Sequence, residues 1–236
     1  MRRIFFLFAA TFLAGLSPLH AETLPLPDGV VAFDSPAGEA LFLGAEARQD
    51  YFQLSMHFVT QDNPAFCGPA SMAMVLNAIG APRPASKMTL GLGLFDQTNV
   101  FTPATEAVKP SADILKAGMT LDEFGGMLKA HDLTVEVRHA GETSLDDFRK
   151  VAAQTLEDGD RFIVVNYLRK AIGQEAGGHI SPLGAYDEDT DRFLILDVTR
   201  YKYPPVWVGA AALYDAMNTP DSDNGGKTRG YVVVGR

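Results

Sequence analysis

Cysteine occurs only once in this chain of 236 residues, at position 67. A single cysteine excludes an internal disulfide framework, a CxxC redox pair, a zinc ribbon and an iron–sulfur cluster held by cysteines of one chain. The fold must therefore rest on its hydrophobic core, for which a chain that is 47% hydrophobic has ample material. The length suits one large domain or two small lobes, and a formal charge of −9 argues against nucleic-acid binding.

The first 21 residues have the pattern of a secretory signal peptide. Arg2 and Arg3 precede an apolar run over residues 4–16, and Ala21 is the small residue that a signal peptidase requires. The apolar run is shorter than the roughly 20 residues that span a bilayer. We therefore expect cleavage after Ala21, export of the protein to the periplasm, and a single folded domain over residues 22–236. An uncleaved membrane anchor is the alternative.

Cys67 lies where a loop passes into a predicted helix that ends before Gly80. Pro69 suits the first helical turn, because its missing N–H would have no partner there. The free amides and the positive dipole end of a helix N-terminus favour a thiolate over a thiol. We therefore expect Cys67 to be a nucleophile, with Gly68 leaving room beside the sulfur for a substrate. The alternative is a buried, inert thiol.

Gln61 precedes Cys67 by one short loop segment. Its side-chain amide is suited to stabilise a developing oxyanion together with the backbone N–H of Cys67. We therefore predict an oxyanion-hole role for Gln61, and the alternative is a solvated loop residue.

Among the five histidines, His179 is the one that follows two glycines and opens an apolar predicted strand, at residues 180–186. An acidic turn at 187–191 leads to a returning strand at 192–198. His179 and Asp197 are equally far in sequence from Glu188, so a hairpin centred there would place them opposite each other, with Cβ atoms about 5 Å apart. A β-bulge would break this register. An acid among apolar neighbours also requires a partner, which His179 supplies.

Together these residues predict acyl transfer: Cys67 attacks, His179 moves the proton and Asp197 orients the imidazole. The chain order Gln, Cys, His, Asp is that of papain-like enzymes. Helical patterns dominate before about residue 158 and strands after it, so we predict an α+β, papain-like fold. Its N-terminal helical lobe would carry the nucleophile, and its C-terminal antiparallel sheet would carry His179 and Asp197. The predicted helices are 37–48, 67–79, 121–131, 144–157 and 207–217, and the strands are 161–168, 180–186, 192–198 and 230–234.

Four segments resemble phytochelatin synthases, and the short prokaryotic form in particular. They are residues 62–71 (DNPAFCGPAS), 177–183 (GGHISPL), 194–198 (LILDV) and 200–208 (RYKYPPVWV). The YKYPPVW run is far more specific than a bare Cys/His pair. The likeness extends over most of the chain after residue 21.

The resemblance implies a glutathione γ-glutamylcysteinyltransferase. Cys67 would attack the Cys–Gly bond of glutathione, expel glycine and hold γ-glutamylcysteine as a thioester. Water would then release γ-glutamylcysteine, or a second glutathione would accept it to form a phytochelatin. The segment 227–231 (KTRGY) matches the closing segment of the family, and Arg229 is our candidate for binding a substrate carboxylate. A solvated arginine at a strand edge is the alternative for Arg229.

The plant members of the family carry a Cys-rich C-terminal region and extra cysteines, which this chain does not contain. We therefore expect no protein metal site and no required cofactor, with a metal such as cadmium arriving as a glutathione thiolate complex. We also expect hydrolysis of glutathione to dominate over transfer. Two alternatives are a papain-like peptidase acting on ordinary peptides and a non-enzymatic module that binds thiol peptides. We expect no nucleic-acid partner and no membrane association after signal cleavage, and a homodimer stays open.

Overall fold

The computed structural model describes residues 23–85 and 91–236, so the predicted signal peptide at 1–21 lies outside the described residues. Within these ranges the α-helices are α1 (Pro36–Gly44), α2 (Gln49–Ser55), α3 (Cys67–Ala78), α4 (Pro103–Val108), α5 (Ser111–Ala117), α6 (Leu121–Lys129), α7 (Leu145–Asp158) and α8 (Ala210–Met217). The strands are β1 (Val31–Ala32), β2 (Thr134–His139), β3 (Phe162–Leu168), β4 (Gly178–Asp187), β5 (Arg192–Ile195), β6 (Val206–Gly209) and β7 (Gly230–Gly235). None of the helices in the described ranges has the length and apolar character needed to cross a membrane.

The seven strands form one sheet in the order β1-β6-β5-β4-β3-β7-β2, and every neighbouring pair is antiparallel. The longest strand, β4, occupies the middle of this sheet and carries His179 near its beginning. An α+β fold with an antiparallel sheet is therefore confirmed.

Helices cover both faces of the sheet, which explains the continuous apolar run in β3. Phe162 and Val164 point to the core shared with α3 and α6, whereas Ile163 and Val165 point to the core shared with α7 and α8. Successive side chains of a strand alternate between faces, so a strand buried on both sides needs apolar residues at nearly every position. Asn166, on the α3 side, is a polar exception.

Helix α3 is the central helix of the first core. Its residues are buried continuously from Cys67 to Leu76, as expected for a helix that is apolar all round. The Ser71 hydroxyl, one turn after Cys67, donates to the carbonyl oxygen of Ile180 at 3.0 Å. This bond joins the helix that begins with Cys67 to the strand that carries His179.

Local sequence signals set the bounds of α7. Ser144 caps its N-terminus by accepting from the backbone N–H of Asp147, and Gly159 ends it in the left-handed conformation, with φ of 72°. Glycine adopts this conformation at little cost, which is why it commonly follows a helix C-terminus.

Three parts of the predicted topology are wrong. Strand β2 comes from the half of the chain predicted to be helical, and it pairs with β7 at the sheet edge. Strand β6 occupies the start of the predicted helix at 207–217. The β4–β5 turn is centred between Asp189 and Thr190 rather than at Glu188, because Tyr186 pairs with Phe193. A bulge at Gly184 then shifts the register by one residue, so that Leu183 pairs with Ile195. Leu196 packs against the bare Cα of Gly184, where a Cβ would lie only 3.1 Å from its side chain.

Asp50, in the first turn of α2, is fully buried, and neither of its carboxylate oxygens has a hydrogen-bond partner among the described residues. Burial, together with the charges of Asp160 and Asp158, raises the pKa of Asp50 from 3.8 to about 8. The folded protein therefore holds a proton at Asp50 that the unfolded chain releases above about pH 4.

Because the folded protein holds this proton and the unfolded chain does not, we predict that the free energy of unfolding falls with rising pH. The contribution of Asp50 to the free energy of unfolding is complete below about pH 4 and is lost towards pH 8, by up to ~1.4 kcal/mol per pH unit. We expect Asp50→Asn to be increasingly more stable than the parent between pH 5 and pH 8 in urea unfolding. Asp189→Asn, in the exposed β4–β5 turn, is the control. An Asp50→Asn advantage that does not change with pH would contradict this account.

Candidate active site

Cys67 is the first residue of α3, and its side chain is buried, with 8% of the residue exposed. Gly68 is needed for packing rather than for substrate access, because a Cβ there would collide with the sulfur of Met119. The space that we predicted Gly68 would leave for a substrate is therefore filled by Met119.

His179 and Asp197 lie together, although Asp197 follows the end of β5 and is not in the sheet ladder. The Nε2 atom of His179 is 3.0 Å from Oδ1 of Asp197, and both residues are buried. Oδ1 also accepts from the backbone N–H of Thr199 at 2.8 Å. The hydroxyl of Ser181 is a second partner of Nε2, at 2.8 Å. These contacts leave Nδ1 as the ring nitrogen free to exchange a proton with a substrate or with Cys67.

Arg169 completes this cluster and was not predicted from the sequence. It directly follows β3 and is 3% exposed, and its guanidinium donates to Oδ1 of Asp197 at 2.7 Å and to the Thr199 hydroxyl at 3.0 Å. The ring of Tyr203 lies 5.3 Å from the guanidinium carbon, in a cation–π contact. Arg169 therefore fixes the carboxylate that orients His179.

The resting charges of the site follow from burial and from this arginine. Burial raises the pKa of the Cys67 thiol, and it outweighs the backbone hydrogen bonds from Ile180 and Gly68 and the charge of Arg169 that lower it. Burial and Arg169 also lower the pKa of His179 despite Asp197. Although burial opposes it, the pKa of Asp197 lies well below its usual range because of His179 and Arg169.

These directions favour a neutral thiol on Cys67 beside a neutral imidazole, with an ionised carboxylate behind the imidazole. A helix N-terminus favours a thiolate, but burial of this sulfur acts in the opposite direction and raises the pKa of the thiol. A neutral imidazole with a free nitrogen can accept the thiol proton when a substrate binds, which is general-base activation.

Gln61 is 4% exposed and belongs to the same hydrogen-bond network. Its Oε1 accepts from the hydroxyl of Thr199 at 2.7 Å. Its Nε2 donates to the carbonyl oxygen of Asn63 at 2.7 Å and to the hydroxyl of Tyr201 at 3.3 Å. Because both amide hydrogens have partners within the protein, an oxyanion-hole role would require Nε2 to exchange one of them, and that role stays a prediction.

Cys67 and His179 open into one cavity of about 500 Å³, which is in the usual size range of ligand pockets. Its walls come from the loop before α3, the end of α5 and the segments that begin β4 and β7, and they include Asn166, Asp221 and Arg229. The Arg229 guanidinium donates to the carbonyl oxygen of Pro220 at 2.7 Å and to the hydroxyl of Thr219 at 3.1 Å, with Asp221 at 3.5 Å. The structure thus brings together three of the five predicted site residues in the cavity wall, with Asp197 and Gln61 behind it.

Asn166 was also missed, although an isolated polar residue within the apolar run of β3 is a signal that could have identified it. It is 2% exposed, and its Oδ1 has no hydrogen-bond partner among the described residues. Across residues 23–85 and 91–236, no group of three or more His, Cys, Asp or Glu side chains is arranged to hold a metal ion.

Comparison with known proteins identifies relatives along most of the chain. The family model for phytochelatin synthase matches residues 21–231. Glutathione gamma-glutamylcysteinyltransferase 3 of Lotus japonicus is 34% identical over 221 residues, which is 92% of this chain and 44% of that protein. Glutathione gamma-glutamylcysteinyltransferase of Schizosaccharomyces pombe is 35% identical over 214 residues, 89% of this chain and 50% of its own length. The chain spans about half the length of the curated relatives it matches. The range matched by the family model includes Cys67 and His179, and the chain belongs to the phytochelatin synthase family.

Proposed function

We propose that this protein cleaves the Cys–Gly bond of glutathione through a γ-glutamylcysteinyl thioester on Cys67. The observation that carries the proposal is that Cys67 and His179 line one cavity, with Asp197 3.0 Å from the far nitrogen of the imidazole. Acyl transfer by a thiol requires this spatial arrangement, in which a base lies beside the nucleophile and an acid orients the base. The relatives are named for transfer of a γ-glutamylcysteinyl group, and that group is the acyl part of the proposed thioester.

The proposed reaction has two steps, which are formation of the thioester and its hydrolysis. His179 takes the proton of the Cys67 thiol, the sulfur attacks the cysteinyl carbonyl of glutathione, and the C–N bond to glycine breaks as the imidazolium returns that proton to the glycine nitrogen. In the second step His179 takes a proton from a water molecule, the water oxygen attacks the thioester carbonyl, and the C–S bond breaks as the imidazolium returns the proton to the Cys67 sulfur, which releases γ-glutamylcysteine. A second glutathione in place of water would give the first phytochelatin.

The polar atoms of the cavity wall suit a zwitterionic peptide. Arg229 offers a guanidinium to a carboxylate, and its Nε has no partner among the described residues. The free Oδ1 of Asn166 is suited to accept from an ammonium or amide N–H. Glutathione carries two carboxylates, one ammonium and two amide groups, so it can satisfy both atoms. A buried polar atom without a partner is costly, and a ligand that pairs it gains affinity.

The proposal extends to features that follow from the resemblance and the sequence pattern. We propose a papain-like arrangement of the helix, His and Asp, export to the periplasm after cleavage behind Ala21, and hydrolysis as the preferred fate of the thioester. Any metal would act as part of a glutathione thiolate substrate, because the single thiol of the chain is the nucleophile itself.

The experiment is incubation of residues 22–236 with glutathione, with and without cadmium, followed by chromatography of the thiols and quantification of glycine. We expect one γ-glutamylcysteine per glycine released and only slow phytochelatin formation. Absence of glycine under both conditions would overturn the proposal, and efficient cadmium-dependent phytochelatin formation would overturn the preference for hydrolysis. An α-linked peptide that ends in Cys–Gly is the control substrate, and its faster cleavage would favour an ordinary peptidase.

A further inference from the structure

A charged cluster outside the cavity contacts the segment that carries Arg229. His139 ends β2, and only 6% of it is exposed. Its Nδ1 is 2.5 Å from the carbonyl oxygen of Thr228, and its Nε2 is 2.9 Å from Oδ1 of Asp122 in α6. The other carboxylate oxygen of Asp122 accepts from Nζ of Lys227 at 2.8 Å. The cluster therefore connects α6, β2 and the loop before β7.

Both partners of His139 are hydrogen-bond acceptors. A backbone carbonyl oxygen can only accept. Partial burial acts to raise the pKa of Asp122, but hydrogen bonds from Lys227 and His139 hold that pKa below its ordinary value, so this carboxylate also only accepts. The ring of His139 is therefore held between two acceptors, one on each of its nitrogens. The charged groups around the ring are Asp122 and Lys227, with Glu142 acting on Lys227.

The bond to Thr228 is one of three that hold this segment against the end of β2. The backbone N–H of Gly141 donates to the hydroxyl of Thr228 at 2.8 Å, and the backbone N–H of Ala140 donates to the carbonyl oxygen of Arg229 at 2.9 Å. The main chain at Arg229 is therefore placed by β2 and its following turn. On the β2 side, His139 contributes a side chain to these bonds, whereas Gly141 and Ala140 contribute backbone N–H groups, and Asp122 fixes the His139 ring from the opposite side.

We propose that His139 is a positioning residue for substrate binding: held by Asp122, its ring fixes the main chain at Thr228 and so directs the Arg229 guanidinium into the cavity. This inference rests on the proposed function, because it assigns Arg229 to the carboxylate of the bound tripeptide. His139 itself does not line the cavity, so it acts through Arg229 and not through the substrate.

The first test separates binding from chemistry. We expect His139→Gln to raise KM for glutathione about tenfold while kcat stays within about twofold, since the variant cannot hold both acceptors. Asp122→Asn, which keeps an acceptor for the ring, should raise KM about threefold. The matched control is His131→Gln, because His131 also contacts a backbone carbonyl, that of Val100, but lies outside the cavity wall. A fall in kcat with unchanged KM would overturn the inference.

The second test is a double-mutant cycle with Arg229→Gln. If His139 acts through Arg229, the double variant should have the KM of Arg229→Gln alone, whereas independent roles would multiply the two effects. Thermal unfolding would establish that each variant is folded, and Asp122→Asn would replace His139→Gln in the cycle if the latter does not fold. Multiplied effects, or an unchanged KM in Arg229→Gln, overturn this inference alone. A parent protein that releases no glycine overturns the proposed function as well.

Discussion

Replacement of Cys67 by alanine is expected to lower the rate of glycine release from glutathione by a factor on the order of 10⁴ or more, because the acyl group then has no nucleophile to accept it. The change should leave the fold intact, since it removes only one buried sulfur atom at the start of α3. Glycine quantification under saturating glutathione, together with unfolding in urea, checks both expectations.

Two further variants refine this prediction. His179→Ala should lower the rate by a similar factor, because burial raises the pKa of the Cys67 thiol and the thiol cannot ionise readily without a base. The double variant should be no slower than either single variant, since residues that act as one unit are not additive. Glycine release by Cys67→Ala at a rate close to the parent rate would remove Cys67 from the mechanism and leave a thiol-peptide binding module as the better account.

Removal of the Asp197 carboxylate is expected to damage both activity and stability. Asp197→Ala leaves His179 without its orienting acceptor and Arg169 as a buried cation without a counter-ion. We expect kcat to fall by a factor of about 10² to 10⁴ and the free energy of unfolding to fall by about 3–5 kcal/mol. Asp197→Asn, which keeps an acceptor for His179, should retain more activity than Asp197→Ala.

The matched control for this pair is Asp191→Ala. Asp191 also binds an arginine through two hydrogen bonds, to Arg149 at 2.7 Å and 2.9 Å, but this pair is partly exposed and lies away from the cavity. Its loss should cost about 1 kcal/mol of stability or less and leave glycine release unchanged. Equal effects at the two positions would contradict a special role for Asp197.

The sequence was most informative where function depends on local structure. The place of Cys67 at a helix N-terminus follows from Pro69 and from the apolar run after it, and the structure has the same helix start. The ionisation of its thiol could not be predicted in the same way, because it depends on burial in the core that α3 shares with β4. Helix signals are local, whereas desolvation is a property of the whole core.

The proximity of His179 and Asp197 was predicted with the wrong register. A symmetric hairpin about Glu188 would place them opposite each other in the ladder, but the turn is centred between Asp189 and Thr190, and beyond the bulge at Gly184 the ladder ends with the pair Leu183–Ile195. Asp197 reaches the imidazole from the loop after β5 instead. A bulge depends on tertiary packing, in this case that of Leu196 on Gly184, and the strand pattern alone does not reveal it.

Arg169 gave no sequence signal that distinguishes it from a solvated residue after a strand. It reaches Asp197 only because β3 pairs with β4, which places the end of β3 beside the start of β4. The short strands β1 and β6 were missed for a related reason: each is formed by pairing at or near a sheet edge rather than by a strong local pattern. Strand β2 did carry a local signal, the alternation of Val135 and Val137 with polar residues, and that signal was missed.

The most direct test of the central claim is mass spectrometry of the protein after brief exposure to glutathione and acid quenching. The account predicts a γ-glutamylcysteinyl group on Cys67, present in the parent and absent from Cys67→Ala. Such an adduct would identify the nucleophile, the substrate and the bond that is cleaved. An unmodified Cys67 while glycine is being released, or an intact glutathione attached by a disulfide as the sole adduct, would contradict it.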